Sequence, residues 1–234
     1  QDQGDYAAAE LLLKRALAIR EKTLGHDHPD VAISLNNLAG VHHARGDYAA
    51  AEPLLKRSLA IMEKAPGAEH CELATALNNL AGLYYDQGKH AAAEPLFKRS
   101  LAITEKALGP DHPEVGAALF NLARHYHERR DYAAAEPLFK RSLAIMEKAL
   151  DAEYPDVATA LFNLARHYHD RRDYAAAELL LKRALAIREK TLGAGHLDVA
   201  TTPKCMAALC EKIGDKAKAG ELKARATKIG ARSC

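Results

Sequence analysis

From Pro113 the chain reads PEVGAALFNLARHYHERR, and its apolar positions fall three and four apart. Val115, Ala118, Leu119, Leu122, Ala123 and Tyr126 form one stripe of an amphipathic helix. Pro113 suits the first helical turn, where a missing N–H has no intrahelical partner to lose, and Asp111 or His112 stands in position to cap. A second helix follows in DYAAAEPLFKRSLAIMEKAL, with Tyr132, Ala135, Phe139, Ser142, Leu143 and Met146 as its stripe. Leu138, Ile145 and Ala149 widen that stripe toward whatever packs next. Pro137 falls inside this helix, as Pro53 and Pro95 do in similar segments, and each is expected to forfeit a hydrogen bond and bend the helix slightly. Leu11 and Leu179 hold the same place in the outer copies.

The two-helix pattern recurs with a fixed step. GDYAAAE begins at Gly4 and Gly46, GKHAAAE at Gly88, RDYAAAE at Arg130 and Arg172, and GDKAKAG at Gly214, always 42 residues on. Pro29, Cys71, Pro113, Pro155 and Leu197 keep the same step. A register this strict means stacked units, each touching mainly its neighbours. It divides residues 1–234 into a half repeat (1–25), four full repeats (26–67, 68–109, 110–151, 152–193) and a C-terminal capping repeat (194–234). Ala39, Ala81, Ala123 and Ala165 on the first helices, and Ala51, Ala93, Ala135 and Ala177 on the second, mark the close approaches. Gly46 and Gly88 suit a left-handed turn between the helices. Arg130 and Arg172 replace that glycine, so their turns are expected to be strained or of another geometry. Gln1 to Gln3 read as the tail of a lost first helix, which would leave the N-terminal end uncapped. GDKAKAGELKARATKIG reads as a solvating cap.

Composition narrows the function. Lys and Arg total 33 against 31 Asp and Glu, a net charge of +2 that gives no bulk case for nucleic acid. No apolar run is long enough for a transmembrane span and no signal peptide is visible, so no membrane partner is expected. Cys71, Cys205, Cys210 and Cys234 lack C-x-x-C spacing and are expected to be reduced thiols, mostly buried filler, of a cytoplasmic protein. The KRS and KRA tripeptides look basic, yet each lysine lies four residues after a glutamate: Glu52–Lys56, Glu94–Lys98, Glu136–Lys140, Glu178–Lys182. That order favours pairing within the helix and a self-neutralised solvent face. There is no recurring nucleophile with a base and an orienting acid, and no glycine-rich phosphate loop, so no enzyme and no cofactor are expected.

LNNLAGLYYDQGKHAAAEPLFKRSLAI from Leu77, with LGPDHPEV from Leu108, resembles the tetratricopeptide repeat, in the longer form found in kinesin light chains. The resemblance covers nearly the whole chain and weakens after Thr201, where Pro203, Lys204 and Cys205 replace the LNN pattern. Similar arrays occur in bacterial multidomain proteins. The resemblance implies an all-α fold, a right-handed superhelical solenoid of antiparallel helix pairs. It also implies a concave groove, lined by first helices, that binds extended and often acidic peptides with an apolar anchor.

Helix geometry assigns residues to that face. Phe120, Asn121, Arg124, His127 and Glu128 gather beside the core stripe of their helix. The other repeats supply Asn36, Asn37, Gly40 and His43; Asn78, Asn79, Gly82, Tyr85 and Asp86; Phe162, Asn163, Arg166, His169 and Asp170; and Lys204 continues the row. His125 and His127, two apart, point about 200° from each other and cannot grip one metal ion. His127 and His169 are too far apart to share one, so no metal is expected. His125 is assigned to the opposite side or the repeat boundary. The asparagine amides serve either a peptide backbone or the stacking of neighbouring helices. Arg124 and Arg166 either hold a ligand carboxylate or pair with Glu128 and Asp170 four residues on. The expected function is an adaptor or scaffold that binds a protein or peptide partner in the groove. The alternatives are a scaffold self-assembling as a homo-oligomer through the N-terminal end, or the regulatory array of a larger multidomain protein.

Overall fold

The computed structural model describes residues 2–65, 71–149, 154–194 and 196–232. The elements are all helical among these residues: α1 (Asp2–Leu24), α2 (Pro29–Ala44), α3 (Tyr48–Lys64), α4 (Cys71–Asp86), α5 (His90–Leu108), α6 (Pro113–Glu128), α7 (Tyr132–Ala149), α8 (Pro155–Asp170), α9 (Tyr174–Leu192), α10 (Leu197–Ile213) and α11 (Lys216–Arg232). Their boundaries follow from caps. His28 and His112 accept the backbone N–H of Asp30 and Glu114 on Nδ1, at 3.1 and 3.2 Å, just ahead of Pro29 and Pro113. Of the two capping candidates before Pro113, the histidine therefore serves.

First helices end on a shared turn. The Asp47 N–H reaches the His42 carbonyl and the Gly46 N–H reaches the His43 carbonyl, both at 2.9 Å. Lys89 and Gly88, Asp131 and Arg130, and Asp173 and Arg172 repeat this double closure, the Schellman arrangement. It needs a left-handed residue. Gly46 and Gly88 supply it at φ 75° and 72°, and Arg130 and Arg172 are forced into it at 60° and 65°. The arginine turns thus keep the glycine geometry and carry the strain, about 1–2 kcal/mol for a residue with a Cβ. Asp47, Asp131 and Asp173 then cap the next helix by accepting the N–H of Ala50, Ala134 and Ala176. One aspartate closes one helix and opens another. α3, α5 and α7 run unbroken through Pro53, Pro95 and Pro137, all exposed.

The chain divides into two compact units, Gln1–Pro110 and Asp111–Cys234. In each, every helix packs on the next in sequence. Val31, Leu35, Ile61, Met62, Leu73 and Leu77 centre the first unit; Phe139, Val157, Leu161, Leu164, Leu181 and Leu209 lie in the cores of the second. All eight alanines at the expected close approaches are fully buried. A buried hydroxyl also ties each middle pair. Ser58, Ser100 and Ser142 donate to the carbonyls of Ala32, Ala74 and Gly116 at 2.8, 2.8 and 2.7 Å. On α11 only Ala219, Ala226 and Ile229 are buried among the described side chains, as a solvating cap requires. Ala149, expected to widen the core stripe, is exposed.

The anticipated Glu–Lys pairs form within their helices, for example Glu136–Lys140 at 2.6 Å and Glu52–Lys56 at 2.7 Å. The arginines at the next register position do something the sequence pattern hid. Arg57 pairs with Glu21, Arg99 with Glu63, Arg183 with Glu147 and Arg225 with Glu189, each reaching the second helix of the preceding repeat.

Candidate functional site

The two units carry their expected face residues separately. In the first, α2 and α4 hold them. His43 Nε2 lies 2.7 Å from Asp86 Oδ2, which ties the two first helices together. Asn37 is exposed, while Asn36, Asn78, Asn79 and Tyr85 are half-buried. The Tyr85 ring meets His90 edge-on at 5.8 Å.

In the second unit the same positions surround two cavities. One, of about 350 Å³, is lined by Phe162, Ala165, Arg166, His169, Asp170, Leu181, Cys205 and Ala208. Its apolar wall comes from α8, α9 and α10. The Arg188 guanidinium stacks on the Phe162 ring at 4.9 Å while donating to Thr201 and Thr202, which fixes the ring. His169 Nδ1 lies 3.1 Å from Asp170 Oδ1. A second cavity, of about 310 Å³, is lined by His127, Glu128, Arg130, Tyr132, Arg166 and Asp170. Arg166 and Asp170 belong to both.

Several placements differ from the sequence reading. Arg166 pairs with Glu128 of the preceding repeat at 3.1 Å rather than with Asp170, because Asp170 is taken by His127 and His169. His127 is expected on the open face, yet the residue is only 6% exposed. Its Nδ1 meets His167 and its Nε2 lies 3.1 Å from Asp170. His125, expected on the opposite side or at the repeat boundary, is fully buried. The Asn163 amide donates to Thr159 of its own helix at 2.8 Å, a role neither alternative for the asparagines foresaw. Phe120 packs edge-on against Phe139 at 5.9 Å, so it is partly a core residue. Asn121 and Arg124 are half-buried and Lys204 is exposed.

Cys205 and Ala208 were missed as lining residues, although the signal was there. They follow Asn163 and Arg166 by one repeat of 42, and the register runs on through α10 despite Pro203. Burial pushes the Cys205 thiol up, so it sits in the pocket as a neutral group. Cys71 is half-buried and Cys210 buried, and Cys234 lies outside the described residues. Among the described residues no group of three or more His, Cys, Asp or Glu is placed to hold a metal ion, and no helix is long and apolar enough to cross a membrane.

Uniform helix pairs, Schellman turns and a repeating pattern of small residues define an all-α repeat protein. The family profile for the tetratricopeptide repeat matches residues 1–64, 72–148, 131–190 and 156–230, and the chain belongs to that family. Among solved structures it is similar to BtubC (BKLC) from P. vanneervenii, at 24% identity and a TM-score of 0.82, covering 99% of this chain and 91% of that one. It is similar also to a putative kinesin light chain from Podosopora anserina with nearly identical repeats, at 29% identity and a TM-score of 0.75, covering 88% of this chain and 98% of that one. The apo form of RapI matches at 15% identity with a TM-score of 0.67, covering 99% and 98% of the two chains. No curated protein matches the chain. The repeats are thus of the kinesin light chain-like kind, and the fold is that of a protein-interaction module, a class that typically scaffolds rather than catalyses.

Proposed function

We propose that this chain is an adaptor or scaffold that binds extended peptide segments, acidic with an apolar anchor, along its first helices. The observation that carries the reading is the 350 Å³ pocket, where an apolar wall stands directly beside Arg166. An apolar side chain would fill the space between Phe162, Leu181 and Ala208, and a neighbouring carboxylate would meet the guanidinium. Arg166 is available for this. Its pair with Glu128 joins two side chains that are 45% and 43% exposed, and exposed pairs are worth only about 0–1 kcal/mol. Asn36, Asn37, His43, Asn78, Asn79 and Tyr85 in the first unit, and Phe120, Asn121, Arg124, Asn163, His169 and Lys204 in the second, extend the reading within each unit.

A peptide-array screen tests it. Bound peptides should carry an acidic residue beside an apolar one, and their affinity should fall with salt. Arg166→Ala should weaken them about tenfold, the scale of one charge-assisted hydrogen bond. Full affinity in both Arg166→Ala and Arg124→Ala would count against the assignment.

A second reading, self-association through α1, is favoured by one observation. Leu12 and Ile19 are 64% and 61% exposed, whereas Ile61, Ile145 and Ile187, which match Ile19 in register, are buried. Light scattering should then show mass rising with concentration, and Ile19→Glu should abolish the rise. A constant monomer mass removes this reading.

A further inference from the structure

His127 and His167 lie 40 residues apart, two short of the repeat, and so meet where α6 faces α8. Their Nδ1 atoms are 3.2 Å apart and their ring centroids 5.4 Å. His167 is fully buried and His127 nearly so. The hydrogens follow by elimination. His127 Nε2 is 3.1 Å from an Asp170 carboxylate oxygen, so it donates there. The neutral His127 ring then offers its Nδ1 lone pair, and His167 donates into it from its own Nδ1. The Nε2 of His167 is left as a buried lone pair without a hydrogen-bond partner, 4.0 Å from Glu136 Oε2.

The surroundings resist a third hydrogen. From α6 come His125 and Glu128, and from α7 come Tyr132 and Glu136, the latter already bound to Lys140, Tyr168 and Arg171. From α8 and its closing turn come Arg166, His169, Asp170 and Arg171. Asp170 and Glu136 favour a cation on the pair, and Arg166, Arg171 and the neighbouring ring oppose it. Burial outweighs every one of these, holding His127 below the usual histidine value and His167 down to about 4.

We infer that the His127–His167 pair is an acid-sensitive latch between the α6–α7 and α8–α9 repeats, closed while both rings are neutral and parted when they take up protons. The 310 Å³ cavity spans this junction, with His127, Glu128, Arg130 and Tyr132 on one side and Arg166 and Asp170 on the other, so parting the latch changes its walls. The inference does not depend on peptide binding. The chain also contains the version without the latch. In the first unit His43 reaches Asp86 at 2.7 Å, as His127 reaches Asp170, but fully buried Leu83 stands at the register position of His167. His167→Leu therefore imports packing the chain already uses.

The sign is set by the unfolded chain, which takes up the proton first. Stability present above about pH 6.5 is lost as the pH falls toward 4. Urea denaturation of the whole chain at pH 7.5 and 5.0, beside His167→Leu, tests this. The folding equilibrium constant of the unaltered chain should fall about 30-fold further than that of the variant, the ratio set by values of 6.5 unfolded and about 4 folded. Equal losses in both chains overturn the latch. Ring nitrogen shifts in NMR of the unaltered chain give a second reading that needs no variant. A His167 ring neutral at pH 5.5 supports the latch, and a His167 ring titrating near 6.5 overturns it.

Discussion

At the scale of single residues, the arginines in the interhelix turns carry the clearest stored strain. Arg130 and Arg172 hold left-handed backbone that Gly46 and Gly88 hold without penalty. Arg130→Gly and Arg172→Gly should each stabilise the chain by about 1 kcal/mol, read as a higher urea midpoint at unchanged slope. Arg130 lines the 310 Å³ cavity, so its retention at a strained position places a cation where glycine would leave none. The buried alanines act in the opposite sense. Ala135 has no exposed surface, and Ala135→Leu should overpack the α6–α7 contact at a cost of about 1–3 kcal/mol. Both expectations start from the sequence, because a strict repeat compares each residue with its own copies. The His127–His167 contact was not legible this way. The residues differ by 40 rather than 42, so the repeat comparison aligns them with other partners.

At the scale of helices, the capping aspartates decide where each second helix starts. Asp47→Ala and Asp173→Ala should each cost about 1 kcal/mol, measured by denaturation. The same change at Lys89 should cost less. Lys89 occupies the equivalent position but makes no side-chain cap and instead meets Glu52 at 3.2 Å on the surface. The helices themselves were readable from apolar spacing and from the prolines that open α2, α6 and α8. The partners of their charged residues were only half readable. Glu–Lys pairs four residues apart follow from helix geometry alone. Arg183 reaching Glu147 depends on how one second helix lies beside the next.

Across the whole molecule, acid should act in two steps with different chemical causes. The latch responds between pH 6.5 and 4. The glutamates that follow the alanine triplets respond lower. Hydrogen bonds from Lys56 and Lys89 hold Glu52 at about 2, with the Lys56 bond the largest cause, and lysine bonds lower Glu136 and Glu178 in the same direction. Each such carboxylate contributes stability that is present above about pH 4.5 and is lost as the pH falls through its folded value. In His167→Leu the His167 share of the upper step is gone, so its urea midpoint should fall less between pH 7 and 5 than that of the unaltered chain, and both should fall further below pH 4. A variant midpoint that drops between pH 7 and 5 as far as that of the unaltered chain would place the upper step elsewhere.

The sequence alone determined the helices, their pairing, the 42-residue register and the small-residue contacts, because all of these are local or repeat identically along the chain. It also determined the family, for the same reason. Tertiary packing alone decided which polar side chains of different helices meet. Arg166 and Glu128, His127 and His167, and Cys205 in the wall beside Phe162 are brought together by the offset between adjacent helices. That offset is set by how buried side chains of two different repeats interlock, and a register of identical spacing does not contain it.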